Sequence, residues 1–372
     1  MYSGGRRKGM LKLYKYRLYP NTEQRKKLEA TLEACRWLYN YCLEERRNAW
    51  QQNQQRLTAY DQIKELPKLK KKHQFLASVY SQVLQDVVRR LDKAFQAFFR
   101  RLQTGQNPGY PRFKGHGRFK SFTYPQSGFR LVNNRLVLSK IGEIRIKLHR
   151  PLEGKVKQLI IKRQADGWYA CFVLEVAPQP LPITGRRVGL DRGLKYFVAT
   201  SDGQLFPAPK FLYKAEQKLK RLHRMVSRRR KGSNRWKKAV AILAKVYLHV
   251  ANQRLDYAHK LARYLVDNYD LIAVEDLRVQ GMVHNQHLAK SILDAAWSLF
   301  LELLVYKAAG AGRQVVMVDP RNTSQECSAC GRVVPKTLND RWHYCPHCGL
   351  SIDRDINAAR NVLQRALALQ VA

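Results

Sequence analysis

Acidic residues are in short supply. Across 372 residues there are 28 aspartates and glutamates against 69 lysines and arginines, a formal net charge of +41. No compact fold needs such self-repulsion for its own stability, so the balance points to a polyanionic partner, most simply nucleic acid. Long apolar runs are missing as well. No stretch of about 18 consecutive apolar residues occurs, so no helical membrane span is expected. Arg6, Arg7 and Lys8 are not followed by the apolar segment of a secretory signal. Cysteine is scarce: four of the seven sit in two Cys-x-x-Cys pairs, while Cys35, Cys42 and Cys171 are scattered. That usage suits reduced thiols and a metal rather than disulfides, and therefore a cytoplasmic setting. No internal repeat of about 20 to 50 residues is found, and the length suits two or three domains.

What is present begins with residues 10–20, where bulky and basic side chains alternate and predict a strand stopped by Pro20. Asn21-Thr22 predicts a capped helix start. Helical apolar spacing follows to about residue 103, with Leu28, Leu32, Cys35 and Leu38 on one stripe and Val83, Val87, Leu91, Phe95 and Phe98 on another, both read as core. Pro67 and the run Lys68 to Lys72 predict a basic connection between them. In residues 108–130, Gly109, Pro111, Gly115 and Gly117 break regular structure, and Tyr110, Phe113, Phe119, Phe122 and Tyr124 interleave with Arg112, Lys114, Arg118 and Lys120. Such a loop can stack bases and track phosphates; the alternative is an ordinary loop whose aromatics turn into a core. Residues 131–177 predict short strands, which with residues 10–20 could close a small barrel around an inserted helical block.

Pro178, Pro180, Pro182 and Gly185 predict a linker, after which an apolar strand ends in Asp191 and a second, Tyr196 to Thr200, is turned by Asp202-Gly203. Eleven of the 21 residues from Lys218 to Lys238 are basic, with Arg228, Arg229, Arg230 and Lys231 at their centre, a density that suits phosphate contact. A buried strand, Leu271 to Val274, delivers Glu275 and Asp276. A loop from Gln280 to Lys290, a helix from Ser291 to Ala309 and a strand from Gln314 to Val318 are expected next, and a final helix from about Asp353 to Gln370. Three carboxylates stand out: Asp191, Glu275 and Asp355. Each alone suits a structural role, but together in so basic a chain they could hold two magnesium ions for phosphodiester cleavage. Cys327, Cys330, Cys345 and Cys348 have the spacing of a closed tetrahedral zinc site, with iron the main rival; His343 and His347 are expected to stay out of it. A closed site has no open position for substrate, so this metal is expected to be structural.

These residues resemble the TnpB (OrfB) proteins of bacterial insertion sequences, relatives of the compact type V CRISPR nucleases. The resemblance is carried by Arg17-Leu18-Tyr19-Pro20-Asn21, Gly109-Tyr110-Pro111-Arg112-Phe113-Lys114, Val188-Gly189-Leu190-Asp191-Arg192-Gly193 and Ala251-Asn252-Gln253-Arg254. Further along it is carried by Val274-Glu275-Asp276-Leu277, Thr323 to Gly331 and Asp353 to Ala359. It implies an α/β multidomain fold: a RuvC-like nuclease domain of ribonuclease H type (184–325 and 351–372) with a zinc-binding insertion (326–350). It also implies an N-terminal β-barrel wedge (1–20 and 125–183) with an inserted helical recognition domain (21–124), and a lid over 280–290. By the same resemblance Asp191, Glu275 and Asp355 are the catalytic acids, Asp355 rather than Asp353 because it precedes x-Asn-Ala-Ala. The implied activity is RNA-guided cleavage of double-stranded DNA beside a short transposon-adjacent motif, in a bacterial cytoplasm and at the nucleoid when bound. The guide RNA would come from the transposon end, and Gln85 and Thr123 stand where motif readers are expected. A guided repressor that does not cut, or a strand-joining transposase, are the alternatives.

Overall fold

The computed structural model describes residues 9–337 and 340–371, apart from the side chains of Gln280, His287 and Val371. Arg6, Arg7, Lys8 and the His287 side chain therefore lie outside the described residues. The chain divides after Ala177 into two compact units.

The first unit runs β1 (Met10–Tyr19), α1 (Thr22–Asn53), α2 (Ala59–Lys72), α3 (Gln74–Ala77) and α4 (Ser81–Gln103). It continues with β2 (Ser121–Tyr124), β3 (Phe129–Val132), β4 (Arg135–Leu138), β5 (Gly142–Lys147), β6 (Lys155–Gln164) and β7 (Gly167–Val176). The strands form one antiparallel, almost closed sheet in the order β2-β6-β7-β1-β5-β4-β3. The period-two pattern of β1 explains its central place: Tyr14, Tyr16 and Leu18 point into the core while Leu11 and Leu13 stay exposed. Asn133 and Asn134 both take positive φ (43° and 59°), the requirement of the tight turn that joins β3 to β4. Asn21 caps α1 through a reciprocal bond with Gln24. The stripes of α1 and α4 share one core with the sheet.

One expectation fails here. Pro67 lies inside α2 rather than in a connection, because a Thr58–Asp61 capping box starts that helix and buried Leu66 and Leu69 hold it through the proline.

The second unit contains β8 (Arg187–Asp191), β9 (Tyr196–Thr200), β10 (Leu205–Pro207), α5 (Phe211–Ser227), α6 (Asn234–Asn268), β11 (Leu271–Glu275), α7 (Val279–Met282) and α8 (Gln286–Ala295). After these come α9 (Trp297–Ala311), β12 (Gln314–Val318), β13 (Trp342–Tyr344), β14 (Ser351–Asp353) and α10 (Arg354–Val371). Its main sheet has the order β10-β9-β8-β11-β12, with β8, β11 and β12 parallel. The middle strand β11 is buried throughout, as expected of a parallel strand covered on both faces. Ile272 and Val274 meet α6 and α9 on one face, while Leu271 and Ala273 meet Val362 and Ala366 of α10 on the other.

The segment expected as a loop over 280–290 is instead largely helical, forming α7 and the start of α8. The helix expected over 291–309 is divided at Ala296, whose φ of 54° ends α8 and starts α9.

Candidate active site and thiolate cluster

Parallel pairing of β8 with β11 sets Leu190 level with Val274, which carries Asp191 and Glu275 to the same end of adjacent strands. Asp355 comes from the first turn of α10, which packs across β8. The close approach has a specific cause. A Cβ on Gly189 would lie 2.0 Å from the carbonyl oxygen of Ala359 and 2.7 Å from the amide nitrogen of Leu363, so only glycine lets the helix lie on the strand. A Cβ on Gly193 would sit 3.9 Å from Oδ2 of Asp355, which places that carboxylate over the turn following Asp191.

Glu275 is 5% exposed and Asp355 8%, and Asp191, part-exposed at its surface, is set in dense protein. Burial lifts the Asp191 carboxyl well above its ordinary 3.8, and the charges of Glu275 and Asp355 push it further the same way, against Arg354 and Arg192. Burial raises Glu275 also, although the Thr323 hydroxyl and Arg192 counteract it, and its carboxyl hydrogen-bonds that of Asp191. Three acids so placed repel one another and call for a cation, and oxygen-only donors suit a hard divalent ion.

Four residues around the acids take roles that the sequence did not assign to them. Thr323 Oγ1 donates to Glu275 Oε1 at 2.6 Å. Arg192, itself 5% exposed, donates to the backbone oxygen of Glu275 at 2.5 Å. Arg354 places Nε 3.6 Å from Oδ1 of Asp355. Asp353 Oδ1 accepts from the amide of Asp355 at 2.8 Å, so the neighbouring acid serves as the cap of α10.

The sulfurs of Cys327, Cys330, Cys345 and Cys348 all lie within 4.8 Å of one another, with Cys327–Cys348 at 3.5 Å and Cys330–Cys345 at 3.6 Å. A tetrahedron with metal–sulfur bonds of ~2.3 Å has edges of about 3.8 Å, so the four thiols fit an ion such as zinc with little adjustment. The two histidines are engaged elsewhere: Lys336 donates to His343 Nδ1, and Arg332 to His347 Nδ1 at 3.1 Å.

One face of α10 ties this cluster to the acids. Asn357, fully buried, accepts from the amide of Ser328 (2.9 Å) and donates to the carbonyl of Glu326 (2.7 Å). Asn361 donates to the carbonyls of Thr323 (2.8 Å) and Glu326 (2.7 Å), and Gln364 to that of Ser328 (2.8 Å). Arg365 adds a bond to Glu326 Oε2 at 2.6 Å. The knuckle that carries Cys327 is thus clamped by the helix that carries Asp355.

The candidate nucleic-acid contacts have mixed surroundings. Arg112 is exposed, and so is Phe113 beside it. The backbone of Lys114 is held on α1: its N–H donates to Asn40 Oδ1 (2.7 Å) and its carbonyl accepts from Asn40 and Arg36 (3.0 Å each). Of the five aromatics in that stretch, Phe119, Phe122 and Tyr124 are core, and Tyr110 packs edge-on against Phe95 and Phe98. The core alternative therefore holds for most of them. Arg228, Arg229, Arg230 and Lys231 form the turn between α5 and α6, and all but Arg229, which is half-buried, are exposed. Gln85 is half-buried on α4. Thr123 is only 4% exposed, and its hydroxyl accepts from Arg90 at 2.5 Å. In this conformation it has no free face to offer a base.

Comparison with known proteins follows the same lines. Residues 171–286 match the OrfB_IS605 family, described as "Probable transposase", and residues 297–362 match the "Cas12f1-like, TNB domain". Residues 10–55 match a "Helix-turn-helix domain", although here they fold as β1 and the single long helix α1. A Streptomyces pristinaespiralis protein named as an RNA-guided DNA endonuclease is 36% identical over 95% of this chain and 89% of its own length. The Escherichia coli K12 protein InsQ, named likewise, is 31% identical over 95% of this chain and 92% of its own. A Cas12f1 structure solved with sgRNA and target DNA aligns with a TM-score of 0.58 over 92% of this chain and 83% of that one, and at 12% identity the likeness is one of fold. By this near full-length identity to proteins of that kind, the chain belongs to the TnpB (OrfB) family.

Proposed function

We propose that this chain is an RNA-guided DNA endonuclease of a transposable element, cutting double-stranded target DNA beside a short adjacent motif. The observation that carries the reading is the meeting of Asp191, Glu275 and Asp355 at one end of β8, β11 and α10 in a chain of net charge +41. The names of its relatives, RNA-guided DNA endonucleases, support it.

On this reading the three carboxylates hold two magnesium ions, which when bound would activate water and neutralise charge developing on the phosphate. Asp191, Glu275 and Asp355 fix where those oxygen ligands stand; Thr323 keeps the Glu275 carboxylate from turning away, and Arg192 holds the backbone beneath it. In the reaction a water oxygen attacks phosphorus, the phosphodiester P–O bond opposite it breaks, and the leaving oxygen takes up a proton. The cysteine cluster holds one structural zinc and sets the position of α10.

The second unit from residue 184 onward then corresponds to a RuvC-like domain over 184–325 and 351–372 with its zinc insertion at 326–350. Six of the seven strands of the first unit's sheet fall in the wedge (1–20 and 125–183), with 21–124 as the recognition insertion; β2 (Ser121–Tyr124) belongs to the sheet although it falls within that inserted range. Arg112, Lys114 and the turn Arg228 to Lys231 are the backbone contacts, and the wedge and recognition residues carry the guide RNA.

The experiment is to purify the protein with the RNA that accompanies it when expressed from its native locus. That RNA is sequenced and the complex is supplied with a matching duplex and magnesium. Double-strand scission that magnesium withdrawal abolishes is expected; intact DNA in a complex that demonstrably binds it would refute the proposal. Transposon ends in the same reaction test the alternative of a strand-joining transposase, and joined products would favour it instead.

A further inference from the structure

We propose that the cleft at the ends of β11 and β12 receives one unpaired base of the DNA strand being cut and selects a base with an exocyclic amino group. Asp276 and Asp319 are its specificity-determining residues. The inference rests on the nuclease reading and adds a base preference to where that site cuts.

Parallel pairing sets Glu275 level with Val318, so the residues that follow, Asp276 and Asp319, leave adjacent strand ends side by side. The Asp276 amide donates to the Val318 carbonyl at 2.9 Å, which carries that register one residue further. The segment bearing Asp319 is fixed as well. Its carbonyl and that of Arg321 accept from Arg365 of α10 at 2.7 and 2.6 Å, and Asp319 Oδ1 accepts from the Arg321 amide at 3.0 Å. Both aspartates are exposed and line one open cleft of about 830 Å³. That volume lies within the range of roughly 300–1,000 Å³ usual for small-ligand sites.

The lining is not that of a phosphate site. Arg278 and Arg321 balance the two aspartates, so the cleft carries no net charge in a chain of +41. Met282 and Met317 line it too, 37% and 46% exposed, and thioether side chains pack well against flat rings. A nucleobase matches this set: the methionines meet the ring, the aspartates its edge, and the arginines the phosphates on either side. The aspartates decide which base. A carboxylate only accepts hydrogen bonds, and an exocyclic amino group offers two N–H donors, one for each of the pair. Thymine puts a carbonyl oxygen in the same place, where both carboxylates repel it. In a duplex that amino group is engaged and the ring is stacked, which is why the occupant is unpaired. Because the cleft begins one residue beyond Glu275, a base held there sets which phosphate of its strand reaches the acids.

The test uses the guided complex on pre-opened targets that share one guide-paired strand. Their unpaired strands cross the cut site as a cytosine tract or as a thymine tract. Wild type should cut the cytosine tract about tenfold faster, the discrimination that one good base contact supplies; equal rates would overturn the proposal. In Asp276→Asn and Asp319→Asn, each of which gains a donor for the thymine carbonyl, the ratio should fall toward one. General damage to the fold would lower both rates and leave their ratio, so an unchanged ratio in both variants would overturn it equally. A second readout needs no scission. In the non-cutting Asp191→Asn complex, 5-iododeoxycytidine in the unpaired strand should photocrosslink to Met282 or Met317, and 5-iododeoxyuridine should do so less; crosslinks confined to other segments would overturn the proposal. A wild-type complex that gives these crosslinks yet never cuts would defeat the nuclease reading and leave the cleft standing. One that cuts both tracts alike would do the reverse.

Discussion

Replacing Gly189 with alanine is the sharpest probe of how the third acid is placed. The added methyl would stand 2.0 Å from the Ala359 carbonyl oxygen and 2.9 Å from Leu363 Cβ, where ordinary contact begins at 3.4 Å, so strand and helix must part by more than 1 Å. The strand is held from its other side: Ser201 Oγ accepts from the Gly189 amide at 3.0 Å and the Ser201 amide donates to its carbonyl at 2.9 Å. The displacement therefore falls on α10, whose first turn carries Asp355. Overpacking of this kind costs ~1–3 kcal/mol, which for a unit of this size lowers Tm by roughly 2–12 °C. A misplacement of ~1 Å at a reacting group lowers the rate by about 10²-fold. The assay is guided cleavage together with thermal unfolding, with Gly281→Ala as the control for unfolding alone because nothing lies within 4 Å of its added Cβ. A Gly189→Ala protein with wild-type Tm and wild-type cleavage would refute this account of helix placement.

Asn357→Ala should destabilise the second unit by ~1–3 kcal/mol, since the amide of Ser328 loses its buried acceptor, and zinc should escape faster to a chelator; unchanged Tm and release rate would contradict the clamp. Cys345→Ser should lose bound metal and stability together, because metal binding and folding are coupled; metal analysis finding no zinc or iron in well-folded wild-type protein would count against the site. The raised carboxyls of Asp191 and Glu275 give a pH dependence. Their native form holds protons that the unfolded chain releases, so this stability is present below the ordinary values of 3.8 and 4.5 and is lost as pH rises through the elevated native ones. In magnesium-free buffer Asp191→Asn should therefore become increasingly more stable than wild type as pH rises above the ordinary carboxylate value of 3.8 and through the elevated native one. Magnesium should narrow the gap by binding wild type; a gap independent of both pH and magnesium would be the contrary result.

Much of the architecture could be read from local pattern. Asp191 and Glu275 each terminate a short apolar run, and such runs are what a parallel strand buried on both faces requires. The strand at 314–318 and the start of α1 were legible from apolar content and capping residues. Other features depended on partners distant in sequence. Pro67 suggests a break, but tertiary burial of Leu66 and Leu69 overrides it. The residues 280–290 look like a loop for their glycine and polar content, yet Leu288 and Val283 pack on the core of the second unit and stabilise helical turns there. The division at Ala296 has no sequence signal, because alanine favours helix and its positive φ is imposed by its surroundings. Asn357 and Asn361 carried a legible sign, two amides four residues apart on a helix face. What they bind, the carbonyl of Glu326 some 30 residues earlier, only the fold reveals.

The central claim is that Asp191, Glu275 and Asp355 form one metal-dependent centre for cutting DNA. It is tested most directly by measuring target binding and target cleavage side by side for the wild-type guided complex and for Asp191→Asn, Glu275→Gln and Asp355→Asn. The account predicts that all three variants bind the matched duplex as wild type does and none cuts it at any magnesium concentration. A variant that still cuts, or a common loss of binding that accounts for the loss of cutting, would contradict it.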